Sequence, residues 1–242
     1  PAATVRLAAV NGLARLGHAE SAPKLVEVVQ DADRGVRQAA IAALGRLDGP
    51  RNLQTILDRT RPEVETDAAV RRQAWDVAME ILSDTHAEVL WQVHEELAAR
   101  EDSLEKRIEV AQMLVAALKA EGDPRLARAQ RNLAGALLAA GRSAEAAVNF
   151  AEAVEGLRKS GDASADEAWL QWVESMLAAA DPTSVTVIAG MDRPELVTDA
   201  QNRLAAGLER LVARGDYVAA ATIATAAIEA LGERLDEAQR AR

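Results

Sequence analysis

Residues 5–16 read VRLAAVNGLARL, and residues 36–47, which lie 31 positions further on, read VRQAAIAALGRL. In both segments the apolar residues recur at spacings of three and four, which places them on one face of a helix. Self-similarity at a period of this size is typical of chains that stack one small helical unit on the next. The repeated stretch therefore predicts an array of helical repeats.

The composition favours helices along the whole chain. Hydrophobic residues make up 49% of the 242 positions while aromatic residues make up 2%, so the apolar content is mainly alanine, leucine and valine. These residues form helices and allow them to approach closely. Glycine and proline fall mainly between periodic segments, and no run of alternating β-branched residues is long enough for a strand. We therefore expect an all-α fold, a right-handed α-solenoid of stacked helical hairpins.

The turns between the predicted helices also repeat. We expect the acidic turn Asp31-Ala32-Asp33 to cap the helix that contains residues 36–47, and Asp67 to cap the corresponding helix of a third unit. The dipeptide Gly49-Pro50 predicts a break between the two helices of the second unit.

Residues 4–100 resemble the HEAT repeat, in the short bacterial version found in phycobilin-lyase-like proteins. The hallmark of that version is an acidic turn followed by Val-Arg and a helix of small residues. The resemblance implies that the arginines of these turns are ladder partners between neighbouring units and not ligand contacts. The positions that match the family's Asp and Arg ladder are Asp31, Asp33, Arg37, Asp67 and Arg71.

Residues 127–160 resemble a tetratricopeptide repeat, and weaker copies begin near Trp169 and Leu204. The resemblance implies that Phe150 and Trp169 lie in the core. We accordingly expect HEAT-like repeats over residues 1–101 and tetratricopeptide-like helical repeats over residues 102–242, forming one continuous solenoid. The matching positions in the first copy are Gln130, Leu133, Ala134 and Leu137 in one helix, and Ala146, Phe150 and Ala153 in the next.

The sequence predicts no catalytic residues, no metal site and no cofactor. The chain has no cysteine, which excludes thiol nucleophiles and thiolate ligands. His86 and His94 are eight positions apart, which does not suit a helical zinc pair, and we expect His18, His86 and His94 to lie at the surface or beside helix caps. No phosphate-binding glycine loop and no serine nucleophile elbow occurs.

The charge distribution restricts the class of partner. The net charge is −10, and residues 62–121 carry six basic against fourteen acidic side chains. Phosphate backbones and anionic lipids require clustered lysine and arginine, so we expect neither nucleic-acid binding nor membrane insertion. The chain begins with Pro1 and not with methionine, which suggests part of a larger protein; a cytoplasmic location in a bacterium is favoured.

These observations predict a non-catalytic scaffold or adaptor that binds another protein or peptide, because stacked helical hairpins present extended surfaces. If residues 127–160 follow the tetratricopeptide pattern, Arg128, Arg131 and Asn132 line the groove that receives a peptide. Arginine and asparagine there would hold a carboxylate or a peptide backbone, and neither arginine should be needed for helix packing.

Two alternatives remain open from family resemblance. One is a phycobilin-lyase-like or chaperone-like subunit that handles a tetrapyrrole adduct. The other is a HEAT-like DNA glycosylase, in which Trp75 and Trp91 would hold a damaged nucleotide; the acidic surplus around them disfavours it.

Overall fold

The chain is all-α wherever the structure describes it, as the periodicity predicts. The computed structural model describes the backbone of residues 2–100 and 103–240, and the side chains of this range as far as residue 232. This part of the chain holds twelve α-helices, one 3-10 helix at Ala19–Ser21 and no strand. In chain order the α-helices are α1 Ala3–Leu16, α2 Ala22–Val28, α3 Arg34–Asp58, α4 Ala68–Ser83, α5 Ala87–Ala98, α6 Leu104–Glu121, α7 Leu126–Ala139, α8 Ser143–Ser160, α9 Ala165–Ala178, α10 Ser184–Ala189, α11 Pro194–Ala213 and α12 Tyr217–Arg240.

The helices form two compact units, Pro1–Val89 and Leu90–Arg242. This division falls near the start of α5, earlier than the change of repeat type expected at residues 101 and 102. Glu101 and Asp102 lie outside the described residues, so the change of repeat type there stays a prediction, as does the right-handed superhelical course.

In the first unit, α1 and α2 pack against α3, and α3 packs against α4. The backbone of α3 is interrupted at Asp48, which has φ −161° and ψ 68°, next to the break expected at Gly49-Pro50. Two helices of one repeat are therefore joined with almost no loop. A Cβ atom at Gly45 would lie 2.5 Å from Val77 Cγ1, so only glycine allows α3 and α4 to approach this closely at that point.

Successive turns of the first unit are connected by arginine–carboxylate pairs. Arg6 donates through Nε and Nη2 to the two carboxylate oxygens of Asp31, both at 2.6 Å. Arg37 donates in the same way to Glu65, at 2.8 and 3.0 Å, and its Nη1 donates to the Asp31 carbonyl at 2.8 Å. The side chains of Arg37 and Glu65 are 14% and 3% exposed. The ladder implied by the resemblance is therefore present, and Glu65 is one of its members.

The aspartates that directly precede α3 and α4, Asp33 and Asp67, have a different role from that of the ladder residues. Asp33 Oδ1 accepts the N–H of Val36 at 3.0 Å, and Asp67 Oδ1 accepts those of Ala69 and Val70 at 2.8 and 3.2 Å. Both are N-caps, as expected. The expectation that Asp67 supplies the ladder carboxylate needs correction, because among the described residues its ion pairing across turns is limited to a 3.7 Å contact with the exposed Arg34.

In the second unit, α7 packs against α6 and α8, α9 packs against α8 and α11, and α12 packs against α10 and α11. Phe150 is 0% and Trp169 is 1% exposed, so the prediction that both lie in the core is confirmed. Helices α6 and α8 end at Gly122 and Gly161, whose positive φ angles of 65° and 69° let the following backbone N–H turn back to the helix.

We predict that Phe150→Ala destabilises the fold by about 3 to 5 kcal/mol, because it removes a fully buried ring and leaves a cavity. Val148→Ala, two positions away on the same helix at a side chain that is 61% exposed, should change the stability by less than about 0.5 kcal/mol. Urea unfolding followed by circular dichroism measures both. Equal effects of the two substitutions would show that the register of α8 is wrong.

The pair between Arg37 and Glu65 can be tested by a double-mutant cycle. Arg37→Met should destabilise the fold by about 3 kcal/mol, because it leaves the buried Glu65 carboxylate without its cation. Arg37→Met combined with Glu65→Leu should recover much of that loss, since neither charge is then buried. Additive losses in the double variant, measured by urea unfolding, would contradict a direct interaction.

Asp31 predicts a pH dependence of stability. The hydrogen bonds from Arg6, and then that from the Asp33 N–H, lower the pKa of Asp31 to about 2. The unfolded chain has a value of about 3.9, so Asp31 stabilises the fold above pH 4 and this contribution is lost as the pH falls from about 4 to 2. Thermal melts of the wild type should therefore fall more steeply over that interval than those of Asp31→Asn. Parallel curves would contradict the assignment.

Candidate functional site

The three candidate residues lie together on α7. Arg131 and Asn132 follow Arg128 by three and four positions, so the three side chains share one face of the helix. The Arg128 side chain is 65% exposed and borders a cleft of about 550 Å³ between the start of α7 and the end of α8. Arg131 and Asn132 are half-buried.

Arg128 also has a structural role that the sequence analysis did not expect. Its Nε donates to Asp162 Oδ2 at 2.8 Å, and its Nη2 lies 2.7 Å from the same oxygen as an ion pair, across the turn that precedes α9. Asp162 Oδ1 accepts the backbone N–H and the hydroxyl of Ser164 at 2.9 and 2.8 Å. These two bonds, and then the Arg128 guanidinium, lower the pKa of Asp162 to about 2. The expectation that Arg128 is not needed for helix packing stays a prediction, because this ion pair joins an exposed side chain to a turn residue.

Polar contacts continue from α7 to α9 and α11. Arg131 Nε lies 3.5 Å from Gln171 Oε1 of α9, a long contact. Arg203 of α11 donates to Glu174 Oε2 at 2.6 Å and lies 4.0 Å from Glu167. We call this set the α7/α9/α11 polar face; its members are Arg128, Arg131, Asn132, Glu167, Gln171, Glu174 and Arg203. The four residues of α9 and α11 were missed from sequence, although the spacing of 167, 171 and 174 marks one helical face.

The tryptophans are engaged in packing. Trp75 is buried at 9% exposure, as a packing role requires. Trp91 is half-buried; its Nε1 donates to Glu95 at 2.8 Å, and the Arg125 guanidinium lies 5.6 Å from the ring centroid. A cation at this distance is attracted to the face of the indole ring.

The histidines differ in burial. His18 and His86 are exposed, as expected, but His94 is 2% exposed and its Nδ1 has no hydrogen-bond partner. The surface expectation is therefore wrong for His94. Burial and, to a lesser degree, the positive charge of Arg107 lower its pKa. Among the described residues, no group of three His, Asp or Glu side chains is arranged to hold a metal ion.

Within residues 2–100 and 103–240, none of the helices combines the length and the apolar character that crossing a bilayer requires.

Comparison with known proteins identifies the N-terminal part of the chain. Residues 1–74 match the family model for HEAT repeats. No curated protein and no solved structure matches the chain. The matched segment covers α1, α2, α3 and the first part of α4, which are the helices connected by the arginine–carboxylate ladder. The arrangement of these helices and the family match agree, and residues 1–74 are similar to HEAT repeats.

Proposed function

We propose that the chain is a non-catalytic scaffold or adaptor that binds another protein through its helical surfaces. The observation that carries this proposal is the match of residues 1–74 to HEAT repeats, a family that generally mediates protein interactions. Stacked helical hairpins suit peptides and partner helices, because they offer long surfaces and small clefts. Nothing in the described residues favours the tetrapyrrole-handling or the glycosylase alternative over this function.

We place the partner contact on the α7/α9/α11 polar face, with Arg128, Arg131 and Asn132 as the residues that hold a carboxylate. The pairing of Arg128 with Asp162 supports this placement. Nε donates to Asp162 Oδ2, and Nη2 lies 2.7 Å from the same oxygen. Within the described part of the chain Nη1 has no acceptor, so it keeps its donors for a ligand while the ion pair orients the guanidinium. The neighbouring Arg131 makes only a 3.5 Å contact and can exchange it for a stronger, charge-assisted bond.

The occupant that suits this face is an acidic peptide or the free C-terminus of a partner. A carboxylate accepts two parallel N–H bonds from one guanidinium, and a charged acceptor adds about 1.5 to 3 kcal/mol per bond. Glu167 and Glu174 lie on the same face next to Arg203 and offset its positive charge. The attraction for the carboxylate of a ligand is therefore concentrated at the arginines of α7.

We predict that a fluorescein-labelled acidic peptide with a free C-terminus binds the full chain, and that Arg128→Gln with Arg131→Gln weakens it at least about tenfold, because two guanidinium donors are lost. Fluorescence anisotropy gives the affinities. The affinity of the wild type should fall as the salt concentration rises, since exposed charges are screened over about 10 Å at 0.1 M ionic strength. The same peptide with an amidated C-terminus should bind more weakly.

The matched control removes two cations from α8 and its preceding turn: Arg142→Gln with Lys159→Gln. Each of these residues pairs with an exposed glutamate, Glu145 or Glu155, and neither lies on α7. The control should bind the peptide as tightly as the wild type. If both double variants lose affinity equally, the effect is one of net charge and the placement on α7 is wrong.

A further inference from the structure

A polar cleft of about 450 Å³ lies between two successive turns of the HEAT repeats. Gln30 and Asp31 contribute one wall, and Val64, Glu65 and Thr66 contribute the other. The remaining lining residues are Arg37 and Arg59. This cleft lies in the first unit and involves none of the residues of the α7/α9/α11 polar face.

Most of the charges around the cleft cancel in pairs. Asp31 is bonded to Arg6 at 2.6 Å, and Glu65 is bonded to Arg37 at 2.8 and 3.0 Å. Each pair sums to zero. The guanidinium of Arg59 is the charge that remains, so the lining residues together with Arg6 carry one net positive charge although the chain as a whole has a net charge of −10.

Arg59 is not compensated by its surroundings. The residue is 9% exposed, and among the described residues no carboxylate oxygen lies within 4.0 Å of its guanidinium. Its Nη1 makes one long contact, 3.5 Å, with the Val64 carbonyl, and its buried Nε has no acceptor. A buried cation with a free donor and no counter-ion is strongly disfavoured, because it has lost its hydration without gaining a partner.

We propose that this cleft is a binding site for a single oxyanion group, a carboxylate or a phosphate, with Arg59 as its counter-charge. A guanidinium is a planar fork that matches two oxygens of such a group. The carboxylates of Asp31 and Glu65 in the walls repel any further negative charge. They limit the ligand to one anionic group and exclude polyanions such as nucleic acid.

The test titrates the full chain with sodium acetate and with inorganic phosphate, at constant ionic strength maintained with sodium chloride. The readout is the ¹H–¹⁵N NMR signal of the Arg59 Nε–H. This group belongs to the guanidinium that lines the cleft, so its resonance should move in a saturable manner when an anion binds there. A response to acetate alone assigns the site to acidic side chains or chain ends, and a response to phosphate alone assigns it to phosphoryl groups.

Arg59→Met provides a second measurement. It keeps the apolar stem and removes the charge, so affinity for the responding anion, followed on the backbone amide signals of Glu65 and Thr66 in the cleft wall, should fall at least tenfold. The melting temperature in the absence of the anion should stay the same or rise, because an unpaired buried cation is gone. Arg61→Met removes a 43% exposed arginine from the same turn, where it contacts Asp58 and Glu63, and should leave binding unchanged.

The proposal is overturned by any of three results. The Nε–H signal of the wild type shows no saturable change with either anion, or Arg59→Met binds as tightly as the wild type. The third result is a melting temperature of Arg59→Met without anion that drops as far as that of Arg37→Met, which would show that the fold itself satisfies the Arg59 charge. The NMR titration uses only the wild type, so it decides the question even if a variant fails to fold.

Discussion

The fork-shaped contact between Arg37 and Glu65 is the interaction on which the arrangement of the helical repeats in the first unit depends. A single helical hairpin cannot bury its apolar face alone, so each hairpin needs a fixed position relative to the next. Arg37 fixes this position on both sides of its helix. It donates to Glu65 in the following turn and to the Asp31 carbonyl in the preceding turn. Arg71 repeats the second half of this pattern by donating to the carbonyls of Glu65 and Thr66, both at 2.8 Å.

The ladder holds the turns, and small residues determine how closely the helices pack behind them. A Cβ atom at Gly156 would lie 2.6 Å from that of Ala127, and one at Gly207 would lie 3.2 Å from Leu177. In the second unit, as at Gly45 and Val77 in the first, a glycine on one helix therefore allows close contact with a side chain of its neighbour. Helices that approach this closely leave little room for large side chains, which explains why a chain that is 49% hydrophobic has only 2% aromatic residues.

The sequence predicts features that depend on neighbours along the chain and misses those that depend on distant partners. The N-caps and the break beside Pro50 follow from local sequence, the burial of Phe150 follows from the tetratricopeptide resemblance, and all are present. Glu65 was missed because both Glu65 and Asp67 precede the pair Val70-Arg71. Only the fold decides which of these two carboxylates reaches Arg37. Asp162 was missed for the same reason, since it lies 34 positions from Arg128. The burial of His94 had a usable signal, because it shares a helical face with Leu90 and Leu97.

Both units use one turn aspartate for two purposes, and this has a consequence for recognition. Asp31 accepts an N–H of its own turn and the guanidinium of Arg6, and Asp162 does the same with Ser164 and Arg128. The double use keeps both carboxylates ionised, with pKa values of about 2. It also immobilises the arginine before any ligand arrives, so the loss of side-chain entropy that binding normally requires has already occurred during folding. An arginine of this kind can therefore be structural and still contribute to binding, because its remaining donors are held in a fixed direction.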